Sequence, residues 1–206
     1  MMERLVPGVN RRYGEGSAAL RQHLVRYRFA CAYVRNGDSV LDAACGSGYG
    51  SFLLAEHGAS VTALDRDPQT IQDASKTYAH PRVNWVSSEV EKFVAPDRHF
   101  HRIVSLETIE HLVDPARVLG QFATWLRADG VLIVSSPVIP TQHIDPYHLH
   151  DFERSSFLGL LENAGLRVLD FLEQEGTFLT VVAALGEAPD LEPRPVPPRF
   201  SLEIKP

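Results

Sequence analysis

Apolar and polar positions change their period along this chain in a regular order. The stretch 18–35 carries apolar residues at helical spacing and stops at Asn36-Gly37. A compact apolar run predicts a strand over 39–43, followed by a helix over 49–57 and a strand over 60–65 (SVTALD). Asp67-Pro68 and Asp114-Pro115 each place a capping aspartate before a proline suited to a first helical turn, so helices are expected from both points. Strands are expected over 82–87 (RVNWVS) and 102–106 (RIVSL). "DGVLIVSSP" reads as a turn feeding an apolar strand, 153–164 as a helix, and 166–172 and 178–185 as two last strands. The link "EQEGTF" is short, so those two strands should pair antiparallel.

Strands that alternate with helices imply parallel pairing, right-handed crossovers and a sheet covered on both faces. The fold class expected is therefore α/β, a doubly wound sheet, with "VLIVS" and "TVVAAL" as buried central strands. The texture changes at residue 187, because six of the chain's fourteen prolines fall in the last twenty residues. A globular domain over 1–186 is expected, with 187–206 as a proline-rich tail, extended along the surface or disordered.

Composition narrows the picture by exclusion. The chain has 206 residues, 44% hydrophobic and 22% charged, with a formal charge of −6. That balance offers no basic field for a nucleic-acid backbone or an anionic membrane. Its start, "MMERLVPGVNRRYGEG", has no apolar core of a secretory signal, and no run is long enough for a membrane span, so a cytoplasmic location is expected. Cys31 and Cys45 have no metal-type spacing and read as free thiols.

The candidate chemistry begins at "VLDAACGSGYGS", residues 40–51, a strand that ends in an acid and breaks into glycines. A strand–glycine turn–helix that opens a doubly wound sheet puts a ligand at the carboxyl edge of that sheet. A dinucleotide fold asks for G-x-G-x-x-G/A, whereas this chain has Gly46, Gly48 and then Ser51. Asp42 would oppose phosphates and favour a cationic, phosphate-free ligand such as S-adenosylmethionine. Asp65, seventeen residues after Gly48, ends the second strand where a carboxylate can accept ribose hydroxyls.

Taken with "VTALDRDP", "VNWVSSEVEKF", "HRIVSLETIEHLVDP" and "RADGVLIVSSPV", this motif resembles the successive motifs of class I S-adenosylmethionine-dependent methyltransferases, over roughly residues 20–185. The match is to the branch typified by small-molecule and sugar O-methyltransferases. The resemblance implies a Rossmann-like sheet of seven strands, the last antiparallel, with an N-terminal lid (1–36). It implies S-adenosylmethionine as cofactor and S-adenosylhomocysteine as product. It also implies that Gly46 and Gly48 pass under the methionine moiety, with Ala44 standing where the family usually has glycine. Asp42 would act near the ammonium group, Asp65 would bind the ribose and Arg66 would lie beside the adenine. Glu89 and Val90 would meet the adenine edge, and Leu106 would lie close to the methionine. In the lid, Tyr13, His23, Arg26 and Tyr27 could line the acceptor pocket, although Tyr27 and Phe29 read equally as core residues of a docked helix.

Histidines gather on two segments that follow strands at the same sheet edge. "ETIEHL" puts Glu107, Glu110 and His111 on one face if it is helical, and "TQHIDPYHLHDFERSSF" brings His143, Asp145, His148, His150 and Asp151. Three readings stand open. These groups could hold loops in place. Alternatively, His111, His148 or His150 could be a general base toward a hydroxyl. The third is a divalent-metal site, because E-x-x-E-H followed by a distant histidine resembles the small-RNA 3′-end 2′-O-methyltransferases. Glu107, Glu110, His111 and His150 would then match the metal ligands. The charge of −6 weighs against an RNA acceptor. The function expected is methyl transfer to a small molecule, such as a sugar or a secondary metabolite. A nucleotide-binding oxidoreductase or a non-catalytic cofactor-binding module is the alternative.

Overall fold

The computed structural model describes residues 18–186 and 191–194. Its elements, in chain order, are α1 (Ala18–Tyr33), β1 (Ser39–Ala43), α2 (Tyr49–Glu56), β2 (Ser60–Asp65), α3 (Pro68–Thr77) and β3 (Val83–Ser87). There follow β4 (Phe100–Leu106), α4 (Pro115–Trp125), β5 (Leu126–Pro137), α5 (Arg154–Asn163), β6 (Leu166–Gln174) and β7 (Phe178–Leu185). One-turn 3₁₀ helices lie at Val90–Lys92 and Ile109–His111. Both aspartate–proline starts form as expected: Asp67 accepts from the Gln69 amide and Asp114 from the Arg117 amide.

The seven strands make one sheet in the order β3-β2-β1-β4-β5-β7-β6. β1 to β5 are parallel, and β7 runs antiparallel to both its neighbours. Alternate side chains on each strand feed two apolar cores, one on each face. Val40, Val104, Ile133 and Val182 join one, and Leu41, Ile103, Leu132 and Val181 join the other. The crossovers therefore leave the carboxyl ends of β1, β2, β4 and β5 together at one edge, the place where such sheets bind ligands.

Two expectations change in detail. β5 begins at Leu126, directly after α4, so Arg127, Ala128 and Asp129 form its exposed start rather than a turn. Pairing with β4 compensates by a register shift between Phe100 and Arg102. The "ETIEHL" segment does not form a helical face. Glu107 takes a left-handed backbone at φ 50° and Thr108 lies at φ −132°, so only one 3₁₀ turn follows. After Gly186, the described residues 191–194 lie against the end of α1. There Arg194 donates its amide to the Ala32 carbonyl, and Arg35 donates from its guanidinium to the Glu192 carbonyl. No helix among the described residues is long and apolar enough to cross a membrane.

Candidate active site

A cavity of about 500 Å³ opens over the carboxyl ends of the strands. Its wall is built from the segments that leave β1, β2, β3, β4 and β5, closed from above by α1. Ala44, Gly46, Asp65, Arg66, Glu89, Val90 and Leu106 all border it. The turn after β1 is shaped by left-handed residues: Ala44 at φ 63°, Gly46 at φ 55° and Gly48 at φ 88°. Asp65 ties this turn to the next strand, because its Oδ2 accepts from the Gly46 amide at 3.1 Å and its Oδ1 from the Asp67 amide at 3.0 Å. Glu89 borders the cavity while pairing with Lys92 at 2.8 Å.

Two residues expected at the ligand lie elsewhere. Asp42 is fully buried behind the wall, where its Oδ2 accepts from Ser51 Oγ at 2.6 Å and its Oδ1 from the Tyr27 hydroxyl at 3.1 Å. Burial pushes its carboxyl up from 3.8 to about 7. Ser51, at the position where a dinucleotide fold would carry glycine or alanine, thus serves the acid instead. Gly48 does not border the cavity, and packing leaves no room for a side chain there. A Cβ there would lie 2.7 Å from the Trp85 ring and 2.8 Å from the Ala74 Cβ.

On the same cavity wall, Glu110, His111 and His148 each bring a possible donor atom within 4.8 Å of the others. His111 Nδ1 lies 3.0 Å from the Tyr147 carbonyl, which can only accept. Nδ1 therefore carries the proton and Nε2 the lone pair. Burial lowers the pKa of this imidazole, and His148 beside it adds to the effect, so the ring is neutral. The two rings meet edge to face with centroids 4.6 Å apart. His148 Nδ1 lies 2.6 Å from Thr141 Oγ1, and Thr141 in turn donates its amide to Asp151 at 2.6 Å.

Glu110 is buried, and burial next to Glu107 raises its carboxyl well above the ordinary range. Its Oε2 accepts from Ser136 Oγ at 3.4 Å, whereas Oε1 is buried without a hydrogen-bond partner. Glu107 is held by Ser135 Oγ at 2.6 Å.

His150 departs from its expected role. Its Nε2 donates to the Leu112 carbonyl at 2.9 Å and its ring stacks on Phe152, so it fastens the loop before α5 and does not border the cavity. The sequence-level set Glu107, Glu110, His111 and His150 is not the set that converges: His148 stands where His150 was expected. His143 does not border the cavity either. From α1, His23, Arg26 and Tyr27 line it, Phe29 packs on the first core, and Tyr13 lies outside the described residues. Spacing alone missed Ser51, Ser136 and Thr141, since hydroxyls of this kind carry no sequence signal apart from the acids they serve.

A doubly wound sheet of this strand order, with a glycine turn and Asp65 at its carboxyl edge, is the architecture of a Rossmann-like α/β protein with a ligand cavity at that edge. Comparison with known proteins takes the assignment further. A family model described as a methyltransferase domain matches residues 41–134. A Mycolicibacterium smegmatis protein named a probable S-adenosylmethionine-dependent methyltransferase is 32% identical over 176 residues, covering 82% of this chain and 66% of its own. A ubiquinone biosynthesis O-methyltransferase of Coxiella burnetii is 29% identical over 154 residues, covering 65% of each. The chain thus spans just under two thirds of the length of these curated relatives. Among solved structures, an S-adenosylmethionine-dependent methyltransferase from Mesorhizobium loti superposes with a TM-score of 0.69 at 18% identity, covering 82% of this chain and 98% of that one. The chain belongs to the class I S-adenosylmethionine-dependent methyltransferases, whose cofactor is S-adenosylmethionine. The dinucleotide oxidoreductase reading is set aside with that assignment.

Proposed function

We propose that this protein transfers the methyl group of S-adenosylmethionine to a hydroxyl of a small-molecule acceptor, such as a sugar or a secondary metabolite, with His111 as general base. The observation that carries the reading is continuity: one and the same cavity is bordered by Asp65, Glu89 and Val90 and by His111 and His148. The sulfonium is already an activated donor, so most of the rate comes from holding donor and acceptor in line. An alcohol is a poor nucleophile, and a neutral imidazole whose Nδ1–H is committed to a carbonyl offers Nε2 to take its proton. The Coxiella burnetii relative is named an O-methyltransferase, which supports oxygen as the acceptor atom. In this reading α1 acts as a lid and keeps water from the sulfonium. Tritiated methyl transfer from S-adenosylmethionine to a metabolite panel tests the proposal. Transfer confined to nitrogen or carbon acceptors would sink it.

A second reading is favoured by the unpartnered Oε1 of Glu110 beside two imidazoles. One carboxylate and two histidines are a donor set that divalent transition metals accept, and the residues present fit one. Glu110, His111 and His148 would hold the ion, which would supply Lewis-acid activation of the acceptor hydroxyl. Turnover that disappears in chelator and returns with a divalent cation supports this reading. Turnover indifferent to chelator removes it and leaves His111 as the base.

A further inference from the structure

We propose that His148 is the hydrogen-bond donor that holds a second oxygen of the acceptor, on the carbon next to the reacting hydroxyl, while His111 takes the proton of that hydroxyl. The inference rests on the proposed methyl transfer to a hydroxyl with His111 as base. It narrows the acceptors to molecules with paired oxygens, a vicinal diol or an α-hydroxy carbonyl. Opposite tautomers of two neighbouring imidazoles carry it.

His111 gives its Nδ1–H to the Tyr147 carbonyl at 3.0 Å, which leaves the lone pair on Nε2. His148 is held the other way round. Its Nδ1 lies 2.6 Å from Thr141 Oγ1, shorter than bonds donated by N–H usually are and ordinary for a hydroxyl donor. The other outlet for that hydroxyl, Asp151 Oδ1, is 3.4 Å away and already accepts the amides of Thr141 at 2.6 Å and Gln142 at 3.0 Å. With Nδ1 accepting from Thr141, the ring proton sits on Nε2. The Asp145 carboxylate, 3.6 Å from that nitrogen, favours it there. A separation of 3.6 Å is too long for a hydrogen bond, so the donor is not spent on Asp145. Asp145 is itself fixed by the Tyr147 amide, which donates to its Oδ1 at 2.8 Å.

Two rings that border the cavity, with centroids 4.6 Å apart, thus offer it one acceptor nitrogen and one N–H donor. Oxygens on adjacent carbons are close enough to meet both at once. In the transfer the acceptor oxygen displaces sulfur from the methyl carbon, the S–C electron pair stays on sulfur, and the hydroxyl proton passes to His111 Nε2. His148 keeps its proton throughout. By holding the neighbouring oxygen it fixes which hydroxyl faces the methyl group.

Two measurements on the full chain test this. Long-range proton–nitrogen correlation spectra of ¹⁵N-histidine-labelled protein at alkaline pH, assigned with His111→Ala and His148→Ala, report which nitrogen of each ring lacks a proton. Nε2 is expected for His111 and Nδ1 for His148. Lone pairs on Nε2 in both rings would overturn the proposal and give the arrangement that a metal-ligating pair needs. Calorimetry with S-adenosylhomocysteine-loaded protein then compares catechol, which has paired oxygens, with phenol, which has one. Catechol is expected to bind about 5–10-fold more tightly, His148→Ala to erase that preference, and His148→Gln, whose amide also donates, to keep most of it. Unchanged affinity for S-adenosylhomocysteine shows that each variant folds. No preference in the wild type, or one that survives His148→Ala, would overturn the proposal. An acceptor panel that yields no O-methylated product would instead overturn the proposed function and leave the tautomers as measured.

Discussion

The ring of Tyr27 occupies the space that a side chain on Gly50 would need: a Cβ at Gly50 would lie 2.0 Å from the Tyr27 Cζ. Helix α1 can lie over the glycine turn only because α2 is bare at this point. Gly50→Ala is therefore expected to destabilise the protein by about 1–3 kcal/mol despite alanine's better helix propensity. Thermal melts of Gly50→Ala, Tyr27→Ala and the double variant check this. The double variant should lose much less than the sum, and strict additivity would show that the two residues do not meet.

Ala44 makes the opposite prediction. Its φ of 63° is one that alanine adopts at a cost of about 1–2 kcal/mol, against about 0.5–1 kcal/mol for glycine's extra freedom when unfolded. Ala44→Gly should thus raise stability slightly, by up to about 1 kcal/mol, in a urea titration. Gly48→Ala should lower it, because a Cβ there meets Trp85 as well as a φ of 88°. A lower midpoint for Ala44→Gly would mean that the turn is not strained.

The buried carboxyl of Asp42 gives stability a pH dependence with a definite sign. Between 3.8, its ordinary value, and about 7, the folded chain holds a proton that the unfolded chain has released. Stability from this group is full below 3.8 and falls as pH rises toward 7. Asp42→Asn should flatten that share of the decline, so the gap in Tm between variant and wild type moves in the variant's favour from pH 5 to pH 8. A variant that runs parallel to wild type would place the proton on another group.

Two histidines that spacing cannot tell apart should behave differently. His111→Ala is expected to lower kcat about 10²-fold or more with little change in S-adenosylhomocysteine affinity. His150→Ala loses the bond to the Leu112 carbonyl, so it should cost about 1–2 kcal/mol of stability and leave kcat within a few-fold. The reverse pattern in a paired assay would exchange their roles.

Those histidines also mark where sequence stops being informative. The order of strands and helices, the aspartate–proline starts and the final hairpin follow from local periodicity and capping, and the structure has each of them. Asp65, Glu89 and Leu106 stand at strand ends, whose position in a doubly wound sheet is fixed by topology, so their place beside the cavity is legible. Whether His148 or His150 turns inward depends on a loop path set by Glu110, whose carbonyl accepts the amides of Leu149 and His150. The burial of Asp42 depends on Tyr27 and Ser51, fifteen residues before it and nine after it. Neither contact leaves a periodic trace. The left-handed turn at Glu107 breaks a helix that the pattern E-x-x-E-H suggests, and no glycine announces it.

The fastening of residues 191–194 onto the end of α1 bears on how the protein is handled at the bench. Shortening the chain at Gly186 to shed its proline-rich stretch deletes the bonds from Arg194 to Ala32 and from Arg35 to Glu192. Those bonds anchor the same helix that carries Arg26 and Tyr27, so a trimmed clone would report on a loosened roof rather than on the native enzyme.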